Sequence, residues 1–124
     1  MTNYFLIGLG GAFGALLRHF LHTIFNFFFY YSFVGTLVIN LIGSFFLGLL
    51  INLLQNKIYS DDFLNYFLII GVLGSFTTFS AFSYETIELI LNKKTILAVI
   101  YILLSVFLSI FAAYIGLNFN RILN

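Results

Sequence analysis

Four apolar runs, each about long enough to cross a bilayer, take up nearly all of this chain and leave it few ways to fold. A hydrocarbon core about 30 Å thick takes about 20 apolar residues of helix, and the few polar interruptions divide the sequence at that spacing. The first run goes from Tyr4 to about Phe25, interrupted by Arg18, His19 and His22. The second goes from Phe33 to about Leu54, after the aromatic link "NFFFYYS", and ends at "QNK". The third follows Asp61 and Asp62 and continues to about Leu91, and the fourth occupies Thr95 to about Phe119. The pattern predicts an all-α membrane protein, a single four-helix transmembrane domain over residues 1–124. Links this short force neighbouring helices to run antiparallel and leave no room for a separate soluble domain.

Composition excludes the other broad classes. Of the residues, 62% are hydrophobic and 7% charged, with a mean hydropathy of +1.11, whereas soluble domains carry roughly 25% charged residues. A net charge of +1, with the basic residues Arg18, Lys57, Lys93, Lys94 and Arg121 scattered, gives no clustered surface for nucleic acid. Without cysteine there is no disulfide or thiolate metal site. Nothing basic precedes the first run and no small-residue cleavage site follows it, so that segment is expected to stay in the membrane as a helix.

The links have plain physical roles. The Phe and Tyr cluster over residues 25–33 suits an interfacial aromatic belt. Asp61 and Asp62 suit the positive end of the third helix, and Lys93 and Lys94 need only solvation. Orientation is less ordinary. With a cytoplasmic amino terminus, Lys57 and Arg121 fall inside and Lys93 and Lys94 outside, so the charge asymmetry that normally fixes topology cancels. A chain without that bias can insert both ways, and one copy up with one copy down makes an antiparallel, dual-topology homodimer.

Small residues four apart mark close helix approach in lipid. The first run offers Gly10 with Gly14 and Gly11 with Ala15; the second offers Ser44 with Gly48. A phosphate-loop reading of "GLGGAFG" fails, because no strand precedes it and no lysine and hydroxyl pair ends it. Polar groups inside the runs are costly and face partners or water. Asn40 is either an interhelical hydrogen-bonding amide or a pore-lining one, with Thr36 one turn earlier on the same face. Tyr101, Ser105 and Ser109 recur every four residues and align three hydroxyls on one face of the fourth run.

The third run is the least helical. In "GVLGSFTTFSAFSYE", Gly71 and Gly74 loosen the backbone while Thr77, Thr78 and Ser80 compete for its hydrogen bonds. A break here would leave carbonyls unpaired, which is tolerated where protein or water satisfies them and which commonly holds a cation in transporters. An unbroken helix with hydroxyls facing its neighbours fits the residues equally well. Phe76, Phe79 and Phe82 recur every three residues; ordinary packing explains them, but ring edges carry positive potential and attract anions. Glu85 follows one turn later and has an ordinary reading as a hydrogen-bonding or solvated carboxylate.

Taken together, "GGAFGALLR", "GTLVINLIGSFFLGLL" and "GSFTTFSAFSYE" resemble the Fluc, or CrcB, fluoride channels across all four runs, with three motifs in order. The resemblance implies four helices, the third broken in mid-membrane, and an antiparallel homodimer in the cell inner (plasma) membrane. Two parallel pores would let cytoplasmic fluoride leave passively. It further implies that carbonyls of Gly74 and Thr77 from both protomers hold a structural Na+ at the dimer centre. Phe79 and Phe82 match the pore phenylalanines and Asn40 the pore asparagine. Tyr101, Ser105 and Ser109 match the polar track of the fourth helix. Arg18 resembles the vestibule arginine, with Thr36 and Glu85 as supporting members. Two positions depart from the pattern: Ser75 is often glycine and Ala81 often threonine, and the second removes any hydroxyl role there.

The alternative is a small multidrug-resistance-type proton-coupled transporter, also of four helices. That class needs a carboxylate in its first span, and this first run has none. Enzyme chemistry has no support, since His19 and His22 have no acidic neighbour in sequence.

Overall fold

A computed structural model describes residues 2–55, 62–119 and 121. Lys57 and Asp61, invoked above for orientation and for the helix dipole, lie outside the described residues. The elements are α1 (Thr2–Phe28), α2 (Ser32–Gln55), a π-helix (Phe63–Leu73), α3 (Gly74–Phe76), α4 (Phe79–Leu91) and α5 (Thr95–Leu117). Four helical stretches are long and apolar enough to cross a membrane: Thr2–Phe28, Ser32–Gln55, Phe63–Leu91 and Thr95–Leu117. Apart from the interruption in the third, these stretches satisfy their peptide groups within the helix, which is what an apolar solvent demands.

The chain contains no proline, so nothing covalent prevents the third stretch from running straight, yet it does not. Its first half is wound as a π-helix, wider than sequence propensity predicts. At Thr77 and Thr78 the backbone turns extended, with ψ of 151° and 120°, before α4 begins. Thr78 caps α4 by accepting a hydrogen bond from the Ala81 amide at 3.2 Å. A threonine N-cap satisfies one of the free amides of a helix start, so α4 is a new helix and not a continuation.

Glycines set the packing. On α1, Gly10 and Gly14 are buried. A Cβ on Gly10 would collide with the Phe67 carbonyl, and one on Gly14 with the Val72 carbonyl and the Ser75 hydroxyl. That close approach lets Ser75 Oγ donate to the Gly11 carbonyl at 2.8 Å. On the other side, α2 and α5 interlock: a Cβ on Gly48 would strike the Ala113 carbonyl, and one on Gly116 the Phe45 carbonyl. The expected pairs are therefore only partly used. Gly11 has open space where a Cβ would stand, and Ser44 lines a groove while Gly48 meets α5.

The turn between α4 and α5 also exceeds simple solvation. Lys93 adopts φ 58°, the Lys94 amide reaches back to the Leu89 carbonyl at 2.9 Å and the Lys93 amide to Ile90 at 3.0 Å. This is the helix-ending motif that usually carries glycine. The Lys94 ammonium sits 4.9 Å from the centroid of the Tyr31 ring, tying this turn to the α1–α2 link.

Because Gly48 faces a backbone carbonyl that no rotamer change can remove, Gly48→Val is expected to destabilise the folded chain by about 1–3 kcal/mol, the usual range for overpacking. Gly11→Val, which points into open space, should leave the single chain's stability nearly unchanged. Thermal unfolding in detergent checks both.

Candidate functional site

The interruption at Thr77 and Thr78 is held by one side chain from α2. Asn40 accepts from the Thr78 amide at 2.8 Å and donates to the Thr78 carbonyl at 3.1 Å. Its amide thus replaces the peptide partner that a continuous helix would have supplied. In a straight helix the Thr78 amide would bond Gly74 O, four residues back, and the Ala81 amide would bond Thr77 O. Here the first is spent on Asn40 and the second on the Thr78 hydroxyl. The carbonyls of Gly74 and Thr77 thereby lose their usual donors, and Gly74 is exposed on the single chain. Thr77 Oγ1 turns back to the Leu73 carbonyl at 3.0 Å, while Gly43 makes room on α2 for Thr77 and Phe76.

Two cavities meet at this point. A groove is lined by Asn40, Ser44, Leu47, Thr77, Thr78, Phe79, Phe82, Ser105, Val106, Ser109 and Ile110. A cavity of about 190 Å³ on the α1 side is lined by Arg18, His19, His22, Thr36, Ile39, Thr78 and Ala81. Thr78 borders both, so the start of α4, with its positive dipole end, lies between them. Within the groove, Phe79 is 76% exposed and Phe82 only 8%, their ring centroids 5.2 Å apart and tilted by 49°. The Ser105 hydroxyl is buried at the wall of this groove, beside the Tyr101 hydroxyl.

A second polar cluster stands behind the groove around Glu85, which is buried on α4. Thr36 Oγ1 donates to Glu85 Oε1 at 2.8 Å, Ser32 Oγ donates to the same oxygen at 3.3 Å, and the Tyr101 hydroxyl donates to Oε2 at 2.7 Å. Both Glu85 oxygens are thus met by hydroxyls from α2 and α5. The fourth-helix hydroxyls therefore do not act alike. Ser105 and Ser109 border the groove, whereas Tyr101 is fully buried, packed at 5.2 Å against Phe82, with its hydroxyl given to Glu85.

The structure brings Asn40, Thr77, Phe79, Phe82, Ser105 and Ser109 to one groove, and Arg18 and Thr36 to the adjoining cavity. Ser44, treated as a packing residue in the sequence, also borders the groove; its position one turn after Asn40 was the available signal. Glu85 and Tyr101 line neither of these two cavities but connect through Thr36 and Phe82. His22 joins the site too, a contact that no local spacing announces.

Residues 5–117 match the family model described as CrcB-like protein, Camphor Resistance (CrcB). The chain is 43% identical over 117 residues to a Campylobacter jejuni protein named fluoride-specific ion channel FluC, covering 94% of this chain and 95% of that protein. It is 43% identical over 107 residues to the fluoride-specific ion channel FluC of Ruminiclostridium cellulolyticum, covering 86% and 82%. It is 41% identical over 116 residues to the fluoride-specific ion channel FluC 1 of Methanosarcina acetivorans, covering 94% and 88%.

Asn40 serves Thr78 as both donor and acceptor, so its variants should separate. Asn40→Leu strands both peptide groups and is expected to cost about 2–6 kcal/mol, at about 1–3 kcal/mol for each unsatisfied group. Asn40→Asp keeps the acceptor and should cost less. Hydrogen exchange at the Thr78 amide should accelerate strongly in Asn40→Leu and only modestly in Asn40→Asp.

Proposed function

The chain belongs to the CrcB family, and from that premise we propose that it is a fluoride-selective channel through which cytoplasmic fluoride leaves passively across the inner (plasma) membrane. The observation that carries this reading is the groove in which Asn40, Phe79, Phe82, Ser105 and Ser109 converge. No enzyme chemistry is involved, since the family relatives are named as ion channels.

Fluoride is small and holds water tightly, so a conducting path has to replace that water with hydrogen-bond donors while still letting the ion go. Ser105 and Ser109 supply hydroxyl donors along the groove. Asn40 has a second amide hydrogen beyond the one given to Thr78, so one residue both holds the break and faces the ion. The edges of Phe79 and Phe82 add weak positive potential without a trapping charge. Arg18 in the adjoining cavity attracts the anion, and the amino-terminal end of α4 at Thr78 adds its dipole where the two spaces meet. Thr36, Glu85 and Tyr101 support the path from behind by fixing α2, α4 and α5 against one another.

The functional unit in this reading is an antiparallel homodimer with two pores. The balanced basic residues support insertion in both directions, and the exposed Phe79 ring and Gly74 backbone call for a covering surface. The break falls about halfway along the Phe63–Leu91 stretch, which in this reading puts it in mid-membrane. The freed carbonyls of Gly74 and Thr77 fit a hard cation that prefers oxygen donors, and these atoms from two protomers would hold a structural sodium ion. When bound, it supplies fixed positive charge and a tie between the two break points. A cell gains from such a path because neutral hydrogen fluoride crosses lipid, dissociates in the cytoplasm and leaves the anion trapped.

Fluoride efflux from reconstituted vesicles, followed with a fluoride-selective electrode, tests the proposal. Wild-type protein should release fluoride and retain chloride. A protein carrying both Phe79→Ile and Phe82→Ile should assemble normally and lose at least about tenfold of the flux, corresponding to about 1.4 kcal/mol on the barrier. Unchanged efflux in that variant would reject the ring-edge role. Drug-driven proton movement without fluoride flux would reject the channel.

A further inference from the structure

His22 lies on α1, on the wall of the cavity that also holds Arg18 and Thr36, and the fluoride-path residues named above do not include it. Its ring is seated closely on α2 at Gly35, where a Cβ would stand 3.3 Å from His22 Cδ2 and 3.6 Å from Asn26 Oδ1. Both ring nitrogens are engaged. Nδ1 lies 3.3 Å from Asn26 Nδ2 and Nε2 lies 3.3 Å from Ser32 Oγ. An amide nitrogen only donates, so Nδ1 accepts and the neutral ring carries its proton on Nε2. Ser32 in turn donates to Glu85 Oε1, which is itself 3.6 Å from His22 Nε2. The hydrogens therefore run one way, from Asn26 through His22 and Ser32 to the Glu85 carboxylate, which also receives Thr36 and Tyr101.

We infer that His22 is a positioning residue for fluoride conduction: through Ser32 it orients Glu85, and its protonation offsets the Glu85 charge beside the path, so that acid speeds fluoride flow. The inference rests on the fluoride-channel reading. Tyr101 links Glu85 to the groove, since its ring packs on Phe82 and its hydroxyl bonds Glu85. A buried negative charge at that link repels an approaching anion. A second proton on His22 places positive charge 3.6 Å from Glu85, and Asn26 can turn its amide to present Oδ1 to the new N–H.

The charged and titratable surroundings are few. Arg18 and His19 share the cavity on α1; α2 contributes only the hydroxyls Ser32 and Thr36. From α4 comes Glu85, with Tyr101 of α5 on its far oxygen. Glu88 and Lys94 border a separate hollow on the other side of Glu85. His19 and Glu85 also face this region, so a change in flow with pH is assigned to His22 by substituting it. Acid surroundings are also the condition that drives neutral hydrogen fluoride into a cell, which gives the sensitivity a use.

Fluoride currents in planar bilayers test this, because they register the anion and not the neutral acid. With both sides at equal pH, wild-type current at about pH 6 should exceed that at about pH 8 by at least about threefold, a screened single-charge effect. In H22Q the ratio should fall to about one. H22R carries a fixed charge, so its ratio should also be about one while its current exceeds that of H22Q. A flat wild-type profile, or acid activation that persists in H22Q, overturns the inference while leaving the channel intact. If H22Q and H22R are both silent beside a conducting wild type, His22 is structural and the inference is overturned. A wild type silent at both pH values overturns the channel reading and this inference with it.

Discussion

Everything in this molecule depends on the pairing of the Asn40 amide with the two peptide groups of Thr78. A backbone that leaves the helix within an apolar span exposes an N–H and a C=O, each costing several kcal/mol in hydrocarbon if unpaired. Asn40 meets both at 2.8 and 3.1 Å, and the Thr78 hydroxyl caps the helix that restarts. The glycines and hydroxyls of this stretch weaken the helix without enforcing a break, and no proline does so; the Asn40 pairing decides it. With it, the carbonyls of Gly74 and Thr77 are released, α4 acquires its own positive end, and Phe79 and Phe82 are directed into one groove.

Packing serves this arrangement. Gly43 lets Thr77 and Phe76 press onto α2, Gly10 and Gly14 draw the π-helix and α3 onto α1, and Gly48 with Gly116 bring α5 against α2. The bundle is thereby tight where backbones meet and open along the groove. Its buried carboxylate, Glu85, is met by hydroxyls from α2 and α5 and by an imidazole from α1. Each of the three other long stretches of helix thus contributes a partner to Glu85, which makes that residue a joint between the elements.

Much of this was legible in the sequence, and the reason is the period of the residues involved. Run lengths marked the four stretches because the bilayer fixes the length of a spanning helix. Asn40, Ser105 and Ser109 stood out because polar groups in apolar runs are rare and costly. The third run left two readings open, continuous or interrupted, because the deciding interaction joins residues 38 apart in sequence. The same limit hid the division of labour in the fourth helix: Tyr101, Ser105 and Ser109 share a face, but Tyr101 is taken by Glu85 from another helix. His22 and Ser32 had no acidic neighbour in sequence and meet Glu85 only through the fold. Lys93, read as a solvated charge, adopts the left-handed conformation at the end of α4, where its amide and that of Lys94 close the helix on Ile90 and Leu89. The π winding of Phe63–Leu73 has no signal in residue propensities that we can name.

A density map of the protein in a lipid nanodisc tests the central claim most directly. The account predicts extended backbone at Thr77 and Thr78 in mid-bilayer, the Asn40 amide within hydrogen-bond distance of both Thr78 peptide groups, and cation density between the Gly74 and Thr77 carbonyls of two opposed protomers. A helix running unbroken from Phe63 to Leu91, with Asn40 turned away from it, would contradict the account.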